Sequence, residues 1–120
     1  MYIYPKTFRK LRRGPQVILP KDIGLILAYS DIDKNSVCVD AGTGSGWLAL
    51  ELARFCKQVV SYDIREDFLS IAEKNRQILG LDNIVFKNKD IFKSIDERNV
   101  DLVTLDLPNP EKALKNVKKA

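Results

Sequence analysis

The chain has 120 residues, 45% of them hydrophobic, with 30% charged and a net charge of +4. That length suits one small domain with a single core and leaves no room for a second. No apolar run approaches the roughly 20 residues of a membrane span, and no leader pattern is present, so a cytoplasmic location without membrane contact is expected. The chain holds no histidine, and its cysteines, Cys38 and Cys56, lack metal-ligand spacing. A zinc site or a histidine-based triad is excluded on that ground, no metal is expected, and both cysteines read as buried free thiols.

Residues 1–13 form a basic N-terminal arm in which Lys6, Arg9, Lys10, Arg12 and Arg13 alternate with Tyr2, Tyr4 and Phe8 without an acid. Basic side chains interleaved with aromatics suit a phosphate backbone and its bases. The turn Arg13-Gly14-Pro15 and an extended run, Gln16 to Leu19, lead into a helix from Pro20 to Ser30 with Ile23, Ile26 and Leu27 inward. Residues 14–120 read as one domain.

The run from Ser36 to Val39 reads as a buried strand. It is followed by Asp40-Ala41-Gly42-Thr43-Gly44-Ser45-Gly46 and a helix from Trp47 to Phe55, with Leu48, Leu52 and Phe55 on one face. Glycines at such a strand-to-helix turn permit conformations barred to other residues and let a ligand approach the main chain. The helix start offers unpaired N–H groups to an anionic group. In the dinucleotide fingerprint a third glycine stands where this chain has the bulky Trp47. The turn instead resembles the first motif of the class I S-adenosylmethionine-dependent methyltransferases.

Val59 to Asp63 reads as the next strand, and Asp63 lies 17 residues beyond Gly46, near the offset of a ribose-binding carboxylate in doubly wound folds. Glu66 to Leu79 is an amphipathic helix, with Phe68, Ile71, Ala72 and Leu79 at helical spacing and Gly80 as its stop. Ile84 to Phe86 is a third strand, followed by Asp90, and Ile91 to Glu97 is a short helix or turn. Val100 to Leu105 is a fourth, largely apolar strand closed by Asp106. Asp63, Asp90 and Asp106 thus end strands toward one edge, with Asp40 just before the glycine turn. In open parallel sheets ligands bind outside that edge. Asp90 suits a hydrogen bond to an adenine amine and can also cap the Ile91 segment. The prolines of Asp106-Leu107-Pro108-Asn109-Pro110 stiffen the backbone that carries Asp106. Lys112, Lys115, Lys118 and Lys119 read as a solvated helix face.

Taken together, Arg13-Gly14-Pro15-Gln16-Val17-Ile18-Leu19-Pro20-Lys21-Asp22, the glycine turn, Ser61-Tyr62-Asp63-Ile64-Arg65-Glu66-Asp67-Phe68 and Asp106-Leu107-Pro108-Asn109-Pro110 resemble the archaeal and bacterial tRNA (adenine-N1)-methyltransferases. The resemblance implies S-adenosyl-L-methionine as cofactor, tRNA as partner and a Rossmann-like α/β fold. Gln16, Val17, Ile18 and Leu19 would line the cofactor, as would Asp40, Gly42, Thr43, Gly44, Ser45 and Gly46. Asp63 would hold its ribose, Phe68 would lie near its adenosine and Asp90 would contact its adenine. Asp106 would be both a cofactor neighbour and the catalytic residue, acting on the T-loop adenine of tRNA.

Members of that family carry an additional N-terminal domain and a seven-stranded sheet. Here four strands are expected, in order 3-2-1-4, so the chain reads as the N-terminal half of such a domain. The apolar edge of the fourth strand would invite a second copy or a completing subunit. A small-molecule methyltransferase of the corrin-biosynthesis type and a non-catalytic cofactor-binding or RNA-binding module are the alternatives.

Overall fold

The computed structural model describes residues 5–14 and 17–120. In chain order the elements are α1 (Lys6–Arg9), α2 (Pro20–Ser30), β1 (Val37–Ala41), α3 (Trp47–Ala53), β2 (Gln58–Tyr62), α4 (Glu66–Leu79), β3 (Ile84–Lys87) and β4 (Leu102–Leu105). A 3-10 turn (Pro110–Ala113) and α5 (Leu114–Val117) follow. The four strands form one sheet in the order β3-β2-β1-β4, every pair parallel. This is the expected 3-2-1-4 arrangement of a Rossmann-like α/β fold.

Alternation along the strands sends side chains to two cores. On one face Cys38 and Val59 pack with Ile23, Leu48, Leu52 and Ile84. On the other, Val39, Ala41, Val60 and Tyr62 pack with Ile91, Ile95 and Ala113. Each fully buried leucine of the first core, Leu50 and Leu52 among them, contributes about 1.5–3 kcal/mol. Cys38 and Cys56 are buried free thiols.

Several boundaries move for local reasons. β1 runs on to Ala41 because Ala41 still pairs with Tyr62 and Leu105, so Asp40 lies inside the strand rather than beyond its end. β2 stops at Tyr62, which leaves Asp63 just past the ladder. α3 ends at Ala53, after which Arg54 and Phe55 close tight turns on Glu51 and Leu52. Phe55 therefore swings outward and is 49% exposed instead of packing inward. The segment from Ile91 to Glu97 forms turns without a regular helix. α4 ends where expected, at Gly80 in the left-handed conformation (φ 66°).

The basic segment packs onto the first core through its apolar residues. The segment from Lys6 to Arg13 is two-faced, with Lys6, Arg9, Lys10, Arg12 and Arg13 exposed and Phe8 and Leu11 in the first core. The Phe8 ring packs on Trp47, with ring centroids 5.2 Å apart. Phe8 is thus a core residue and cannot stack on a base, while Tyr2 and Tyr4 lie outside the described residues. Asn75, wholly buried on α4, accepts from Arg12 N–H (2.6 Å) and donates to Arg12 O and Ser45 O (both 2.9 Å). Trp47 Nε1–H also donates to Arg12 O (3.0 Å). These contacts fasten the basic segment to the glycine turn.

Candidate active site

The carboxyl ends of the strands carry two adjoining cavities. The first, about 450 Å³, is walled by Gly42, Gly44, Tyr62, Asp63, Ile64, Arg65, Phe68, Lys89, Asp90, Ile91, Phe92, Leu107, Pro108 and Asp106. The second, about 710 Å³, is bounded by Arg13, Val17, Ile18, Leu19, Asp22, Ile26, Leu48, Thr104, Leu105 and again Asp106. Asp106 is the residue common to both. Its N–H donates to Ala41 O (2.9 Å), continuing the β1–β4 ladder. Gly42 makes the close approach possible, since a Cβ there would fall 2.0 Å from Asp106 O.

Asp63 is oriented by two backbone amides. Gly44 N–H donates to its Oδ2 (3.1 Å) and Arg65 N–H to its Oδ1 (2.9 Å). A carboxylate offers about four acceptor sites, so both oxygens retain capacity for a vicinal diol. Asn88 Nδ2–H donates to Asp63 O (3.1 Å) and ties β3's end to the same point. Phe68 lies beneath the Arg65 guanidinium, 4.2 Å from the ring centroid, and supplies an aromatic wall. Asp90 Oδ1 accepts from Phe92 N–H (2.9 Å), so it caps its own turn while facing the cavity.

Other residues expected to touch a ligand lie outside the lining of the smaller cavity. Asp40 is 1% exposed and sits beneath the site. In register with Ser61 on β2 and Thr104 on β4, it accepts from both hydroxyls (2.6 and 2.7 Å). Burial pushes its carboxyl up to about 6; the two hydroxyls oppose the shift, and repulsion from Asp106 and Asp63 adds to it. Thr43 Oγ1 shares a hydrogen bond with Ser61 Oγ (2.6 Å), extending the chain of bonds into the glycine turn. Thr43 and Ser45 are buried, and neither lines either of these two cavities. Gly46 serves helix packing, because a Cβ there would lie 2.8 Å from Ala72 Cβ. Val17, Ile18 and Leu19 line the second cavity, apart from Asp63 and Asp90. Gln16 lies outside the described residues.

Nor is the turn an open anion nest. Gly42 and Thr43 N–H donate to Tyr62 O, Gly46 N–H to Thr43 O and Gly44 N–H to Asp63. The turn has spent those donors on the end of β2 and on its own backbone, so it suits a nucleoside ligand better than a pyrophosphate. Sequence reasoning missed Asn75, although its place between Ala72 and Leu79 on an apolar stripe was a signal. It also missed Tyr62 as a cavity wall. Among the described residues no group of three or more His, Cys, Asp or Glu side chains is arranged to hold a metal, and no helix is long and apolar enough to cross a membrane.

A 3-2-1-4 parallel sheet, a glycine turn after β1 and an acid after β2 facing a nucleoside-sized cavity define the class I methyltransferase fold, whose cofactor is S-adenosylmethionine. Residues 32–120 match the family described as methyltransferase domain, and the chain belongs to it. The tRNA (adenine(57)-N(1)/adenine(58)-N(1))-methyltransferase TrmI of Methanocaldococcus jannaschii is 35% identical over 93% of this chain and 50% of its own length. The crystal structure of the tRNA (m1A58) methyltransferase TrmI of Aquifex aeolicus superposes with a TM-score of 0.83 at 29% identity, covering 91% of this chain and 45% of that one. The precorrin 8W decarboxylase of Methanobacterium thermoautotrophicum also has a TM-score of 0.83, at 25% identity, with 92% of this chain and 63% of that one covered. The chain spans about half the length of the curated relatives it matches.

Proposed function

We propose that this chain is the cofactor-binding portion of a methyltransferase that modifies N1 of adenine in tRNA, at the T-loop position named for its TrmI relatives. The observation that carries the reading is the position of Asp106 as the shared wall of two cavities. The smaller one suits the adenosine of S-adenosylmethionine, with Asp63 on the ribose, Asp90 on the adenine amine and Phe68 against the ring. The larger has room beside Asp106 for the remainder of the cofactor and a target base. When bound, S-adenosylmethionine supplies a methyl group activated by its sulfonium charge for in-line transfer.

The chain's own residues have a modest chemical task. The N1 lone pair of adenine needs no base to expose it, so placement dominates. Asp106 accepts a hydrogen bond from the exocyclic amine of the target, fixes the ring plane and offsets the positive charge that develops on the methylated base. A T-loop adenine must be unstacked to reach it. Exposed Lys6, Arg9, Lys10 and Arg12 precede Arg13, which lines the larger cavity, and suit the phosphates of the RNA backbone. The outer edge of β4, the last strand in the sheet order, suits a completing strand or a second copy. The reading places the protein in the cytoplasm, with tRNA.

A small-molecule reaction is the second reading, favoured by the larger share of the precorrin decarboxylase that the chain covers. The test is methyl transfer from labelled S-adenosylmethionine to unmodified tRNA, read as 1-methyladenosine after digestion. Product that disappears with Asp106→Ala supports the proposal. Bound cofactor without transfer to any tRNA contradicts it and favours the small-molecule or non-catalytic reading.

A further inference from the structure

The segment from Asp90 to Glu97 crosses the ends of β2 and β3 as a strap fastened at both ends. At one end Asn116 Nδ2–H donates to Ile91 O and Phe92 O (both 2.9 Å). At the other, Asp96 N–H donates to Tyr62 Oη (3.0 Å), and Tyr62 O–H donates to Glu97 Oε1 (2.5 Å). Lys87 Nζ pairs with Glu97 Oε2 (2.6 Å) and Lys89 Nζ with Asp96 Oδ2 (2.6 Å). Between these anchors the strap contributes Asp90, Ile91 and Phe92 to the smaller cavity, and the buried Tyr62 lines the same cavity. Tyr62 therefore belongs to the wall and to the fastening at once. Burial and the bond to Glu97 push its phenol up to about 12, so it keeps the proton it donates.

We propose that Tyr62 and Glu97 are positioning residues that set the base selectivity of the cofactor site by holding the strap, and with it Asp90, against the exocyclic amine of adenine. The inference rests on the proposed role of Asp90. Adenine presents a donor at its 6-position, whereas hypoxanthine presents a carbonyl there. A carboxylate fixed opposite that position rejects the carbonyl, but one on a loose segment can turn away. The fastening also restrains the wrong donor. Lys89 lines the cavity, and its ion pair with Asp96 holds its ammonium on the strap instead of on a ligand carbonyl.

The experiment is calorimetric titration of S-adenosylhomocysteine and S-inosylhomocysteine into the wild-type chain and into Tyr62→Phe, Glu97→Gln and Asp90→Ala, each with its melting temperature. The wild type is expected to prefer the adenine ligand by about 100-fold or more, and Tyr62→Phe to cut that preference by about tenfold. Glu97→Gln, which still accepts from Tyr62 but loses the charge facing Lys87, should cut it less. A merely structural role would lower melting temperatures and weaken both ligands equally; an unchanged ratio in both strap variants overturns the inference. If Asp90→Ala abolishes the preference while Tyr62→Phe keeps it, the strap's role falls and that of Asp90 stands. No preference in the wild type overturns both.

Discussion

Gly44 N–H donates to Asp63 Oδ2 across 3.1 Å, so the glycine turn after β1 holds the acid that ends β2. The bond spans the junction where neighbouring parallel strands release their chains. It makes the turn a scaffold for a carboxylate rather than a cradle for a phosphate, and it ties Asp63 to the turn that also admits Asp106.

Two glycines should respond oppositely to alanine. Gly42 has φ 87°, and an added Cβ would strike Asp106 O at 2.0 Å. Gly42→Ala should lose about 3 kcal/mol or more, combining left-handed strain with overpacking. Gly24 lies inside α2 with nothing within 4 Å of an added Cβ. Gly24→Ala should gain about 0.5–1 kcal/mol. Urea denaturation of both variants checks the pair; equal effects would contradict the geometry.

Asp40 makes stability depend on pH in a specific window. Its folded carboxyl is raised from 3.8 to about 6, so between those values the folded chain holds a proton that the unfolded chain has released. Stability from this group is therefore greatest below pH 4 and falls as pH rises toward 6, by about 3 kcal/mol for a shift of this size. Asp40→Asn removes the titration. Its stability relative to wild type should shift in the variant's favour across that window and then level off, as read from denaturant midpoints at a series of pH values. A flat difference would exclude the role of burial.

Removing the Asn75 side chain should release the basic segment. Asn75→Ala deletes three hydrogen bonds to Arg12 and Ser45, a loss of about 3 kcal/mol at typical values. Limited trypsin digestion should then cut at Arg9, Lys10, Arg12 or Arg13 faster than in wild type. Unchanged cleavage would mean that Phe8 and Trp47 hold the segment without it.

The strands themselves were legible because each is a short apolar run ending in an acid or a turn. Asp63, Asp90 and Asp106 were legible as cavity residues for the same reason. The strand order came instead from the resemblance to the methyltransferase family, since open parallel sheets admit more than one order. Asp40 was misplaced because Ala41 looks like turn but pairs like strand, which carries the acid under the sheet's edge. Phe8 and Leu11 were hidden by the charges around them, although their spacing of three is helical. The tyrosine–glutamate fastening joins residues 35 apart in sequence, and no local pattern announces such a contact.

The central claim is that the glycine turn and Asp63 form a working S-adenosylmethionine site. Calorimetric titration of S-adenosylmethionine into the purified chain, with Asp63→Ala as matched control, tests it most directly. The account predicts saturable binding at one site, weakened at least about tenfold by Asp63→Ala through loss of hydrogen bonds to a charged acceptor. A folded chain that binds none, or an Asp63→Ala variant that binds as wild type does, would contradict it.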